Sequence, residues 1–254
     1  MSRLMNGVSA GCILLTLAGA AEVQEAKVSI NDLLGDWLNK TYVDSLRKTL
    51  SPRASVKGIY YTAIRFTKIH EGFKWIIDFN FHEGLPYTID SLKVAGTDTY
   101  SLIFNKEEVS GRETMDDRIV FPDGSFDDLS WVFTDKGKEQ RIRFIRVRPS
   151  MEKFVNRIVL AGTYTDTSGR RFLFTDDSEA KWPNKTFIYE IGLDCVLAHC
   201  DHFSIPAEKD TKGAKFYAYE RKNDKLYLYN TVFLYDVIME PEGSPLYVLT
   251  RKRK

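Results

Sequence analysis

The chain has 254 residues, and its 36 Lys and Arg against 35 Asp and Glu leave a formal charge of +1, which excludes a general electrostatic pull toward nucleic acid or anionic lipid. Hydrophobic content of 43% and charged content of 28% are ordinary for a folded globular protein. The aromatic content of 13%, with 13 Tyr and 16 Phe, is high and leans the chain toward pleated, half-buried strands.

Residues 1–20, "MSRLMNGVSAGCILLTLAGA", have the layout of a secretory signal peptide: Arg3, an apolar run, then Ala18-Gly19-Ala20 as a small-x-small cleavage site. This predicts a secreted or periplasmic protein. The run is shorter than the roughly 20 residues that span a bilayer, and no later stretch is longer, so no membrane span is expected after leader removal. Cys12 stands before most of the apolar run and not at its end, where a lipid-bearing cysteine would stand.

In "VSINDLLGDW", Asn31 or Asp32 can cap a short helical turn. Val43, Leu46 and Leu50 recur at helical spacing, and Pro52 stops any helix there. Strand-like segments follow in quick succession: "GIYYTAIRFTKI", "FKWIIDFNF", "YTIDSLKV", "TYSLIFN", "DRIVFP", "DLSWVFT" and "QRIRFIRVR". The turn-rich "EGLP", "AGTD", "PDGS" and "DKGK" separate several of them. In the second segment Trp75, Ile77, Phe79 and Phe81 alternate with polar residues, which marks a sheet with one apolar face. "PSMEKFVNRIVLAGTY" has helical spacing over 151–158 and links to a second series: "AGTYTD", "RRFLFTD", "TFIYEI", "HFSI", "KFYAYERK", "KLYLYNT" and "PLYVLTRK". "FYAYERKNDKLYLYN" reads as a hairpin. "LAGTY" at 160–164 echoes "LLGDW" at 33–37. The expectation is all-β: two tandem antiparallel meander barrels or curled sheets over 28–150 and 156–254, joined by a short helix.

The G-x-W at Gly35 and Trp37, behind a leader and ahead of about eight meandering strands, resembles the start of a lipocalin; G-x-Y at Gly162 and Tyr164 is similar to a degenerate version. The resemblance implies up-and-down barrels. It further implies that the tryptophan packs across one closed end under an arginine from a late strand. Arg143, Arg146 and Arg148 are candidates, with Arg143 taken as the barrel-closing residue. Cation–π attraction of about 0.5–2 kcal/mol would support that contact.

Tyr61, Trp75, Ile77, Phe79 and Phe81 either line a ligand cavity or fill a core; alternation along strands looks the same in both cases. Cys195 and Cys200 are the two cysteines beyond the leader, and an exported chain meets an oxidising compartment, so a local disulfide is expected. "HCDH" at 199–202 offers metal-ligand types, but its histidines need not converge, and no metal site is assigned. The paired Asp residues at 116–117, 127–128 and 176–177 read as turns, and no catalytic or nucleotide-binding fingerprint is present. The resulting expectation is a non-enzymatic binding protein without cofactors. Its partner is a small lipophilic molecule or, if the barrels are filled, an envelope protein.

Overall fold

The computed structural model describes residues 28–252 apart from residues 71, 106–116, 123–124, 195, 197, 208–212 and 235–237; the expected leader lies outside the described residues. The fold is all-β, with two antiparallel sheets and four short helices among the described residues.

The first half contains α1 (Ile30–Leu33), β1 (Gly35–Asn39), α2 (Lys40–Thr49), α3 (Pro52–Ser55), β2 (Tyr61–Ile69), β3 (Gly72–Phe79), β4 (Glu83–Gly96), β5 (Thr99–Phe104), β6 (Arg118–Val120), β7 (Asp128–Asp135) and β8 (Lys138–Val147). Each strand pairs with the next, and β8 returns to β1, closing an eight-stranded barrel. Closure leaves no free sheet edge and gives every strand an inner face. Ile64, Phe66, Trp75, Ile77, Ile89, Leu102, Leu129, Trp131 and Phe144 belong to the buried core of this barrel.

Helix α2 interrupts the meander directly after β1 because the local sequence specifies it. The Asn39 side chain accepts the Thr41 N–H at 2.8 Å, and Lys40 pairs with Asp44 one turn on at 2.6 Å. Leu50 ends the helix in the left-handed region (φ 54°), and Pro52 opens α3 behind the Ser51 cap.

The second half contains α4 (Met151–Val159), β9 (Gly162–Thr165), β10 (Arg171–Phe174), β11 (Glu179–Trp182), β12 (Lys185–Ile188), β13 (Glu190–Ile191), β14 (Asp201–Ile205), β15 (Lys215–Lys222), β16 (Lys225–Leu234) and β17 (Ile238–Arg251). Its nine-stranded sheet runs β12-β11-β10-β9-β17-β16-β15-β14-β13, so first and last strands are neighbours, as in the barrel. The two ends of that order, β12 and β13, are one chain segment broken only at Tyr189. The sheet therefore curls back on itself through this segment.

The core of the second sheet is not made by the second half alone. Leu38, Tyr42, Val43, Leu46, Ala63 and Val147 join Val155, Tyr164, Phe174, Tyr189, Phe203 and Leu249 in one buried cluster. Successive strand residues face opposite sides. On β1, Trp37 belongs to the barrel core while Leu38 belongs to the shared one.

Candidate functional site

The two sequence echoes build the same device twice. In the first half, Trp37 is fully buried and its Nε1 donates to the Leu33 carbonyl, four residues back, at 2.8 Å. Arg146 stands directly opposite on β8, with its guanidinium 4.8 Å from the Trp37 ring centroid. The same guanidinium donates to the carbonyls of Asp32 and Leu34. In the second half, Tyr164 is fully buried and its hydroxyl donates to the Leu160 carbonyl, again four residues back, at 2.7 Å. Arg251 stands directly opposite on β17 and donates to the Ala161 carbonyl at 2.6 Å. The glycines follow from this arrangement. Gly35 has φ 119°, a backbone that side chains disfavour, and a Cβ on Gly162 would lie 2.8 Å from Arg251 Nε. Burial pushes the Arg146 pKa down and the Tyr164 pKa up.

The cation over Trp37 is thus Arg146 and not Arg143. Side chains alternate along β8, so Arg146 shares the inner face with Ile142 and Phe144, whereas Arg143 points outward. There it forms a forked pair with Asp128, with contacts of 2.6–2.8 Å.

Inside the first barrel the expected aromatic face is largely assembled. Trp75 and Ile77 are fully buried, and Tyr61 and Phe79 pack against the same cluster. Phe81 does not join them. β3 ends at Phe79, and positive φ at Asn80 (51°) and Phe81 (59°) turns the chain. Phe81 then packs 5.0 Å from the ring of Tyr42, in the shared core.

Sequence reading missed the other half of this aromatic core. Trp75 is ringed by Phe66 (6.3 Å), Tyr87 (6.1 Å), Phe104 (5.4 Å) and Trp131 (5.1 Å). The two indoles differ in one respect. Trp131 Nε1 donates to the buried carboxylate of Asp117 at 2.7 Å, while Trp75 Nε1 is buried with no hydrogen-bond partner among the described residues. Asp117, which reads in sequence as a turn residue, is therefore part of the barrel interior. An unpaired buried donor costs about 1–3 kcal/mol.

The second sheet also encloses aromatics. Trp182 meets Phe172, Phe187, Tyr217 and Tyr247 at 5.1–5.6 Å, and its Nε1 too is buried without a partner among the described residues. The tyrosines of the β15–β16 hairpin divide by register. Tyr217 and Tyr219 are buried inside, while Tyr227 and Tyr229 are half-buried on the outer face.

The "HCDH" residues diverge. His199 pairs with Glu240 at 3.0 Å, and His202 Nδ1 lies 3.4 Å from the Cys200 carbonyl oxygen, its pKa lowered by burial. Among the described residues no three His, Cys, Asp or Glu side chains are placed to hold a metal ion. Cys200 is a buried free thiol, pushed up to about 11 by burial; Cys195, its expected partner, lies outside the described residues. Cys200 borders a groove of about 620 Å³ between the α2–α3 turn and β15, lined also by Arg53, Asp201 and Lys222. A second groove, of about 490 Å³, lies over Val56, Ile59, Tyr60 and Val196.

The fold and interior thus define an all-β protein with a closed eight-stranded barrel followed by a curled second sheet. No family model matches the chain, and neither does any curated protein or solved structure. Among the described residues no helix is long and apolar enough to cross a membrane.

Proposed function

We propose that the protein is an exported, non-enzymatic, lipocalin-like binding protein whose first barrel holds a small apolar or amphipathic molecule. The observation that carries the reading is Trp75 Nε1, an N–H fully buried on the inner face of a closed barrel with no acceptor among the described residues. Aromatic walls around the unsatisfied indole N–H of Trp75 suit a ligand that is mostly apolar and presents one acceptor, such as a carbonyl oxygen. Residues 1–20 act as the cleaved leader and place the protein in the periplasm or outside the cell.

The test is a fluorescence titration with prodan, a neutral naphthyl ketone, on the wild type and Trp75→Phe. Saturable binding with one site in the barrel, weakened about fivefold by loss of the N–H, supports the reading. No saturable binding, or an affinity indifferent to Trp75→Phe, overturns it.

A second reading, a protein-interaction module at the cell envelope, is favoured by one feature. Val232, Phe233 and Leu234 are consecutive and each 37–43% exposed where β16 ends. Such a run is an attractive contact surface for another protein.

A further inference from the structure

We infer that the mouth of the second sheet is a binding site for an amphipathic monoanion, a carboxylate on an apolar body. The site is separate from the first barrel and does not depend on its occupancy.

The mouth is located by the strands. Arg221 and Arg251 bind the carbonyls of α4 and of Ala161, which fixes the closed end. Tyr217 and Tyr247 lie four residues away along β15 and β17, about 13 Å toward the opposite end. There they meet Trp182 and Phe187 from the β11–β12 hairpin.

Two ammonium groups converge on this ring cluster. Lys185 Nζ lies 4.5 Å from the Trp182 ring centroid, 4.8 Å from that of Phe187 and 5.6 Å from that of Tyr217. It also stands 3.5 Å from the Tyr217 hydroxyl. Lys215 Nζ lies 4.8 Å from the Tyr217 ring centroid. Among the described residues neither lysine has a carboxylate partner, whereas Lys181 and Lys222 on neighbouring positions pair with Glu179 and Glu220.

A simple hairpin contact accounts for part of this. Trp182 and Lys185 are directly opposite on β11 and β12, and an exposed lysine over a cross-strand indole is a familiar stabilising pair. It does not account for Lys215, which arrives from β15, nor for two cations sharing one tyrosine ring without a counter-ion among the described residues. Cations gathered at one ring cluster attract an anion. The rings below offer apolar surface, and the unpartnered Trp182 Nε1 adds a donor within it. A carboxylate at the lysines with a hydrocarbon body over Phe187 and Tyr247 satisfies both the charges and the apolar surface.

The test is calorimetric titration with octanoate and, separately, octan-1-ol. Proteins compared are the wild type, Lys185→Gln, Lys215→Gln, the double variant and Trp75→Phe. Both lysines are exposed, so the variants fold. Octanoate is expected to bind more tightly than octanol, with the double variant weakening octanoate about tenfold and octanol by less than about twofold. Trp75→Phe leaves the lysine-dependent part of octanoate binding unchanged. Octanoate binding no tighter than octanol, absent, unaffected by the lysine variants, or lost in Trp75→Phe overturns the assignment; the last result would place the anion in the first barrel.

Discussion

Arg146 and Arg143 are three residues apart on one strand and do different work. Arg146 covers Trp37 and binds two backbone carbonyls, while Arg143, its side chain 46% exposed, pairs with Asp128 on the outside. Arg146→Met is expected to cost about 1–3 kcal/mol in urea denaturation, the sum of a lost cation–π contact and carbonyls left without donors. Arg143→Ala should cost under about 1 kcal/mol, as an exposed pair does. Equal losses would contradict the assignment. Choosing between the two arginines was within reach of the sequence. Alternation places Arg146 with Phe144, and an arginine that must cover Trp37 has to share that inner face. Phe81 was not legible in the same way. Its departure depends on two left-handed residues in a turn that the apolar alternation gives no reason to expect.

A contact between the halves should respond to pH. His82 Nδ1 lies 2.7 Å from Asp194 Oδ2, and the hydrogen bond to Asp194 raises the His82 pKa above its usual value. A group whose pKa is raised by folding contributes its full stabilisation below the unfolded pKa and loses it as pH climbs through the folded one. Hydrogen exchange near Asp194 should therefore accelerate, as pH rises above the ordinary histidine value of about 6.5, more than intrinsic exchange alone explains. His82→Gln should remove that excess; an identical profile in the variant would rule the latch out.

Among the elements, α4 is the clearest case of sequence and structure agreeing: the helix expected over 151–158 spans Met151–Val159, with the Ser150 hydroxyl accepting the Lys153 N–H at its start. What holds it in place was not visible. Asn156 is fully buried, accepts the Tyr189 hydroxyl at 2.6 Å and donates to the Thr175 carbonyl at 2.9 Å. Burial raises the pKa of Tyr189, so the phenol stays a donor. Asn156→Leu should cost about 2–3 kcal/mol, and adding Tyr189→Phe should recover part of it, because two apolar partners are better than one stranded hydroxyl. A purely additive double variant would sink the network. The same region explains the missed strand. β11 lies within "DDSEAKWPN", whose turn formers mask four strand residues, and Tyr189 divides into two strands a segment that reads as one. Pairing partners far along the chain decide both features, and no local pattern reports them.

At the scale of the whole molecule, the two echoes were legible as a repeat, and both mark the starts of the two sheets. The sharing of one core between them was not, because α2 reads as an interruption of the first half when its buried face serves the second. Leu46, fully buried on α2, is the test of that arrangement. Leu46→Ala should cost about 2–5 kcal/mol and lower one common unfolding transition. Separate transitions for the two halves, with only one of them shifted, would contradict a shared core.

The central claim, that the first barrel holds a small apolar molecule under Trp75, is tested most directly by native mass spectrometry of protein purified gently from its export compartment. We predict an added mass of one small molecule per chain that is lost on denaturation and carried by a smaller fraction of Trp75→Phe chains. The denatured mass should also correspond to cleavage after Ala20. A bare chain mass in every gentle preparation, unchanged by Trp75→Phe, would contradict the claim and favour the interaction surface at the end of β16.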